Sequence, residues 1–322
     1  MTEDIAVVLG ASGFIGARLV RRLAGQGRPV RAVDILPPRQ RLDGVDYIEA
    51  DVREPIDPKI GQDAHVLYNL AAVHRTPGHP DHEYFEANVA GALNATGLAE
   101  AADIKTIVFT SSISVYGPCE QTVDESSPLK PVSCYGRSKR LAEQVHRRWL
   151  DANHDRRLII ARPGVVFGPG EAANYTHLAK ALRGGYFAFP GRKDTVKSGG
   201  FVDELLSTFD FALARPEREA LYNFAYPHPS TTQEIVQTLD RVMGLKSRPM
   251  TIPLGPMLLA ASLFELAGLF GVKSWIHRDR VMKLVQSTRI APGWLSANGY
   301  LFTTDLESAL RRWSDETDGR FD

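Results

Sequence analysis

Tyr135 and Lys139 stand four residues apart in "SCYGRSKRLAEQ", residues 133–144. On a helix that spacing puts both side chains on one face. A lysine ammonium beside a phenol stabilises the phenolate, bringing the tyrosine pKa down from about 10 toward neutrality. Tuned in this way, Tyr135 can exchange a proton with a substrate hydroxyl while a nicotinamide takes or gives the hydride. A serine-bearing strand, "VFTSSISVYG" (108–117), precedes the pair. Alone, a tyrosine and a lysine at this spacing are also what any surface helix carries by chance. A second signal near the N-terminus gives them a partner.

That signal is "DIAVVLGASGFIGARLVRRLAGQG", residues 4–27. Gly10, Gly13 and Gly16 fall between an apolar, strand-like run (5–9) and an amphipathic, helix-like run (14–24). In a βαβ dinucleotide site the first glycine permits the tight turn, and the others let the pyrophosphate approach and let helix and strand pack closely. The helix N-terminus then points free amide N–H groups at the phosphates. Asp34 closes the second apolar run, where a carboxylate accepts from the adenosine ribose hydroxyls and repels a 2′-phosphate, favouring NAD over NADP.

These groups need a scaffold, and the pattern supplies one. Strand candidates at 5–9, 30–35, 47–50, 66–70, 106–111 and 157–162 alternate with amphipathic stretches, notably 84–102 and 135–153. Such alternation predicts an α/β fold, a doubly wound parallel sheet with helices on both faces. After "RPGVVFGPG" (162–170) the pattern loosens into short helices and Gly/Pro-rich loops, as expected of a smaller lobe. The expected division is a dinucleotide-binding domain over 1–165, with a returning segment near 200–227, and a substrate lobe over 166–199 and 228–322.

A chain of 322 residues can bury a real core, and Lys plus Arg equal Asp plus Glu at 38 each. No net field draws the protein to nucleic acid or an anionic membrane. Two cysteines, Cys119 and Cys134, are too few for a disulfide framework and read as reduced thiols of a cytoplasmic protein. The N-terminal residues do not fit a signal peptide. No metal site is expected. The apolar stretch 252–272 approaches the ~20 residues that span a bilayer, but Pro253, Pro256 and Glu265 interrupt it. It is read as a helix packed into the protein, with a monotopic contact as the alternative.

With its Gly-x-x-Gly-x-x-Gly spacing, "GASGFIG" resembles the opening of the extended short-chain dehydrogenase/reductase superfamily, and of its NAD-dependent epimerase/dehydratase members in particular. The resemblance is dense over residues 5 to about 170 and looser beyond. It implies a Rossmann-type fold with NAD held by Gly10, Ser12, Gly13, Phe14, Ile15, Gly16, Asp34, Ile35, Asp51, Val52, Leu70, Ala71, Ala72 and Pro163, together with Tyr135 and Lys139. It implies that Asn88 braces the active-site backbone, that Ser112 hydrogen-bonds the reacting oxygen beside Tyr135 and Lys139, and that Arg162 lies next to the nicotinamide. Where dehydratases of the superfamily carry an Asp-Glu pair, this chain has Ile113 and Ser114, so elimination lacks its carboxylates. A 4-epimerase of a nucleotide-activated sugar is the leading expectation. Gly164 and Val165, in place of the epimerases' Phe-Asn, keep open a dehydrogenase or ketoreductase of a hydroxysteroid-like or lipid-linked sugar substrate. A third alternative is a non-catalytic NAD sensor. By the same resemblance, Asn174, Phe189 (or Phe187) and Lys197 are substrate contacts. Members of the superfamily commonly form homodimers through paired helices, for which Ala87, Ala90, Gly91 and Ala95 offer small residues.

Overall fold

The computed structural model describes residues 4–75, 78–259, 262 and 278–322. Short β-branched runs form strands β1 (Ile5–Leu9), β2 (Val30–Asp34), β3 (Val45–Glu49), β4 (Ala64–Asn69), β5 (Thr106–Thr110), β6 (Arg157–Pro163) and β7 (Glu219–Phe224). All pair in parallel, in the order β7-β6-β5-β4-β1-β2-β3. The chain winds outward from β1 to β3 and returns on the other side of β1 as β4. The topological switch, where open α/β sheets take their ligands, therefore lies between β1 and β4.

Helices cover both faces, which is why the strands read as continuous apolar runs. On one side Ala6 and Val8 pack with Leu19, Val20 and Leu23 of α1 (Phe14–Gly25). Leu205, Leu206 and Phe209 of α6 (Val202–Leu213) complete that layer. On the other, Val7 and Leu9 meet Ala92, Ala95 and Leu98 of α3 (Gly91–Ala101) and Ala142, Trp149 and Leu150 of α4 (Cys134–Asp151). Each such fully buried aliphatic or aromatic side chain contributes roughly 1.5–3 kcal/mol of transfer free energy.

Much of the remaining chain gathers into a second cluster, the lobe, while Leu295 packs back onto the sheet layer. The lobe helices α5 (Asn174–Arg183), α7 (Thr232–Val242) and Leu306–Glu316 close on an aromatic cluster that includes Phe167, Tyr175, Phe189 and Trp313. Arg18 of α1 donates to Asp203 of α6 at 2.7 Å and to Glu316 of the last helix at 2.8 Å, tying the lobe to the sheet layer.

Two expectations need adjustment, and a third falls mostly outside the described residues. The predicted helix over 84–102 is interrupted by a π-turn at Glu86–Ala90. Ala87, Gly91 and Ala95 are buried within this protomer, so they are occupied by internal packing and are not a free stripe for a partner. Most of the 252–272 stretch lies outside the described residues. Among the described residues, no helix is long and apolar enough to cross a membrane.

Candidate active site

At the switch point Gly10 turns with φ +80°, a conformation that L side chains rarely adopt. A Cβ on Gly16 would lie 2.0 Å from the Gly10 carbonyl oxygen, so helix and turn pack backbone to backbone. Gly13 is the N-cap of α1 and offers no side-chain cap, which leaves the first-turn amides without a side-chain acceptor. A glycine cradle ending in unpartnered helix amides fits a pyrophosphate. Asp34 sits beside it. Its carboxylate accepts from Ser12 N–H and Leu36 N–H, each at 2.9 Å, and so is fixed against the turn. Ile35 is largely exposed just beyond, while Leu70, Ala71 and Ala72 lie part-buried opposite the turn. Asp51 is held by Arg53 through both carboxylate oxygens, and that guanidinium keeps its carboxyl below the ordinary range. Val52 packs against Gly91. Pro163 is buried at the end of β6.

The candidate catalytic groups come from the end of β5 and the start of α4. Ser112 caps a short 3-10 turn by accepting from Ser114 N–H at 3.1 Å. Ser133 caps α4 by accepting from Gly136 N–H at 3.1 Å. Gly136 is there for a steric reason: a Cβ would lie 2.4 Å from the Ser114 carbonyl oxygen. Its absence lets α4 press onto the 3-10 turn, which sets Tyr135 beside Ser112.

Lys139 is 1 % exposed, donates from Nζ to the Thr110 carbonyl at 2.9 Å, and lies 4.8 Å from the centre of the Phe109 ring. Burial pushes its pKa down to about 7, against the opposing pull of the Glu143 carboxylate. For Tyr135, burial pushes the phenol up and the Ser112 hydroxyl pulls it back down. The expected lowering by Lys139 is thus not what governs the phenol here. The lysine is engaged with Thr110, and desolvation dominates. Below Lys139, His146 stacks on Phe109 at 4.1 Å, donates from Nδ1 to the Ala142 carbonyl and accepts from Asn69 at Nε2. Burial drives its pKa down to about 4, in keeping with that neutral tautomer.

Asn88 lies in the π-turn, the kind of helix irregularity often found at functional sites. Its amide accepts from Val73 N–H at 3.0 Å, donates to the Val73 carbonyl at 3.1 Å and to Ser138 Oγ at 2.8 Å. Ser138 in turn donates to the Tyr135 carbonyl at 2.9 Å. The amide therefore couples the loop after β4 to the first turn of α4. Ser138 carried no sequence signal beyond its place in a helix.

The expected substrate contacts are less uniform. Asn174 is exposed at the start of α5. Phe189 is 3 % exposed and belongs to the lobe core, packed 5.1 Å from Phe187, so it offers no face to a base; Phe187 is the more accessible ring. Lys197 donates to the carbonyls of Lys283 (2.6 Å) and Gln286 (2.8 Å) at the end of the helix Arg278–Val285, and burial lowers its pKa to about 8. Its ammonium serves the lobe's own backbone. Arg162, at 2 % exposure, pairs with Glu143 inside the protein.

A doubly wound sheet with a phosphate-fitting turn at its switch point, and Ser, Tyr and Lys gathered at the ends of β5 and α4, defines a dinucleotide-dependent enzyme of the short-chain dehydrogenase type. The sequence profile of the NAD dependent epimerase/dehydratase family matches residues 6–225, and the chain belongs to that family. A relative from Escherichia coli O157:H7, N-acetyl-alpha-D-glucosaminyl-diphospho-ditrans,octacis-undecaprenol 4-epimerase, is 29% identical over 96% of this chain and 94% of its own. In fold the chain is similar to a UDP-N-acetylglucosamine 4-epimerase from Methanobrevibacter ruminantium M1, with TM-score 0.79 and 18% identity over 99% of this chain and all of that one. It is also similar to a UDP-glucuronic acid 4-epimerase from Bacillus cereus in complex with NAD, with TM-score 0.76 and 18% identity over 99% and 100% of the two chains. The cofactor of the family is NAD.

Proposed function

We propose that this protein is a 4-epimerase of a hexose activated through a diphosphate, with a nucleotide sugar as the substrate class. The observation that carries the proposal is the pairing of Tyr135 with a buried Lys139 and Ser112, next to positions 113 and 114 that hold Ile and Ser in place of carboxylates. One acid/base group without elimination machinery suits oxidation of a carbinol followed by its reversal on the other face. Tyr135 Oη takes the proton from the C4 hydroxyl and later returns it, and Ser112 donates to the same oxygen. Lys139 lies beneath, holding positive charge against the forming phenolate and binding the nicotinamide ribose. Bound NAD supplies the hydride acceptor and donor. The glycine turn with Ser12, Phe14 and Ile15, together with Asp34, Ile35, Asp51, Val52, Leu70, Ala71, Ala72 and Pro163, forms the cofactor cleft, with Asn88 bracing its floor. On the substrate side, Asn174 is the contact whose exposure suits the role.

A second reading has one observation in its favour. By its name, the Escherichia coli relative acts on a sugar carried by diphospho-undecaprenol. Both readings need the same chemistry at C4 and differ in what lies beyond the diphosphate. Incubating the NAD-loaded protein with UDP-glucose, UDP-N-acetylglucosamine and N-acetylglucosaminyl-diphospho-polyprenol, and reading the C4 epimer by NMR, separates them. Turnover of a nucleotide sugar is the expected result, and turnover of the polyprenol alone transfers the proposal to the lipid-linked class. In the active case Tyr135→Phe keeps NAD binding and loses turnover by orders of magnitude. An inert wild type that still binds NAD overturns the enzymatic reading in favour of a sensor. We infer further that the protein is a cytoplasmic homodimer. Support for the first comes from its two free cysteines, and for the second from the exposed Leu93 and Leu141 on α3 and α4.

A further inference from the structure

Behind Ser112, Tyr135 and Lys139 lies a chain of polar side chains closed to solvent. Glu143 follows Lys139 by one helical turn and is 0 % exposed. It meets Arg162 of β6 in a two-pronged pair, Nε to Oε1 at 2.8 Å and Nη2 to Oε2 at 2.6 Å. The Ser111 hydroxyl donates to the same carboxylate at 2.5 Å. The third guanidinium nitrogen, Nη1, donates to Tyr116 Oη at 2.7 Å, and Tyr116 donates to Asn223 Oδ1 of β7 at 2.9 Å. Asn223 passes the contact into the lobe by donating to the Ala291 carbonyl at 3.1 Å, while its backbone N–H donates to Glu125 at 2.7 Å.

We infer that Glu143, Arg162, Tyr116 and Asn223 are positioning residues that lock the Ser112 turn and the Tyr135–Lys139 helix in one register and carry that register to the substrate lobe. The inference rests on the epimerase reading for its consequences in turnover, though not for its geometry. Ser111 and Tyr116 flank the turn that Ser112 begins, and both are tied to one carboxylate–guanidinium pair. That pair grips α4 a single turn beyond Lys139. Stability alone does not account for such a pair, since replacing a buried ion pair by apolar groups of similar volume is often neutral or stabilising. A planar fork that satisfies a carboxylate and a phenol together fixes angles as well as distances, which a lysine cannot do. All four are buried and none is among the groups assigned to the substrate above, so their effect is read through Ser112, Tyr135 and Lys139.

The test uses the NAD-loaded protein and whichever activated sugar it epimerises. The double variant Glu143→Gln/Arg162→Met removes both charges together, leaves neither member of the pair as an unpaired buried ion, and is expected to fold. Its kcat should fall by roughly a hundredfold, the scale of a misplaced reacting group. Its NAD affinity should fall by about tenfold through the displaced Lys139. Tyr116→Phe, which cuts both the tie from Arg162 to the Ser112 turn and the link to the lobe, should lower kcat several-fold and raise the sugar KM by about fivefold, the factor of one hydrogen bond. Wild-type kcat and NAD affinity in the folded double variant overturn the inference, and an unchanged KM in Tyr116→Phe removes its lobe half. Should the double variant not fold, Arg162→Lys carries the same expectation for kcat and NAD affinity. If the wild type turns over no sugar, the functional reading fails separately, and NAD affinity alone then decides whether these residues position Lys139.

Discussion

At the scale of single residues, the site is defined by one cation in an unfavourable place. Lys139 is enclosed, and its pKa of about 7 lies below the ordinary value of 10.5. Between those two values the unfolded chain keeps the proton while the folded chain releases it. Stability contributed by this group therefore rises with pH across that window, and the penalty is full below pH 7. In cofactor-free protein, Lys139→Met should accordingly raise Tm at pH 7, with a difference that shrinks toward pH 10, while turnover and NAD affinity are lost. A Tm difference independent of pH in thermal scans would falsify this account of the lysine. Activity bought at the cost of fold stability is the expected sign for a working group. Asp34 makes the second residue-scale prediction. Its carboxylate is held in place by the Ser12 and Leu36 amides, so NAD should bind far more tightly than NADP. Asp34→Ala combined with an arginine introduced nearby should relax or reverse the preference in parallel titrations, whereas equal affinities in the wild type would sink the assignment.

At the scale of elements, α4 is placed by two features of different legibility. The Tyr-x-x-x-Lys spacing was readable because a helix repeats its face every three to four residues. Contact between that helix and the Ser112 turn depends on Gly136, whose reason for being glycine is a carbonyl oxygen contributed by Ser114 from another element. Gly136→Ala should push α4 away from the turn, cost roughly 1–3 kcal/mol of stability as an overpacked contact, and reduce kcat more than it reduces NAD affinity. Thermal melts and kinetics on the same preparation test this, and an unaltered kcat would show that the close approach is not what aligns Tyr135. The π-turn holding Asn88 belongs to the same class of feature. In the sequence "EANVAGALNATG" it is indistinguishable from regular helix, since the extra residue is accommodated by hydrogen bonds to Val73 and Ser138 from outside it.

For the whole molecule, the open question that the fold poses most directly is assembly. The small residues that suggested a helix-pairing stripe are consumed inside the protomer, and α3 and α4 present Leu93 (57 % exposed) and Leu141 (41 % exposed) outward instead. A two-fold interface brings each leucine against its own copy or its neighbour's, because a C2 contact is self-complementary. Light scattering at micromolar concentration should give twice the mass of one chain, and Leu93→Arg with Leu141→Arg should halve it. A wild-type monomer would contradict the arrangement. Thr231 and Asp305 begin lobe helices with capping boxes, and Arg18 ties α6 to the final helix.

What the sequence determined by itself is whatever depends on local periodicity and on backbone conformation. The parallel sheet followed from apolar runs alternating with amphipathic ones, the phosphate turn from glycines between a strand and a helix, and the Tyr135–Lys139 face from a four-residue step. The six expected strands begin and end within a few residues of those expectations, while the edge strand Glu219–Phe224 was not marked in the sequence. What only the tertiary structure decided is where charges go once they are enclosed. Arg162 commits its guanidinium to Glu143, nineteen positions back in the chain. Lys197 spends its ammonium on the carbonyls of a helix some 86 residues distant. Phe189 is absorbed into a core assembled from stretches spread over residues 167–321. A buried charge must find its partner wherever the fold brings one within about 3 Å. That partner is set by long-range packing, which no local pattern encodes.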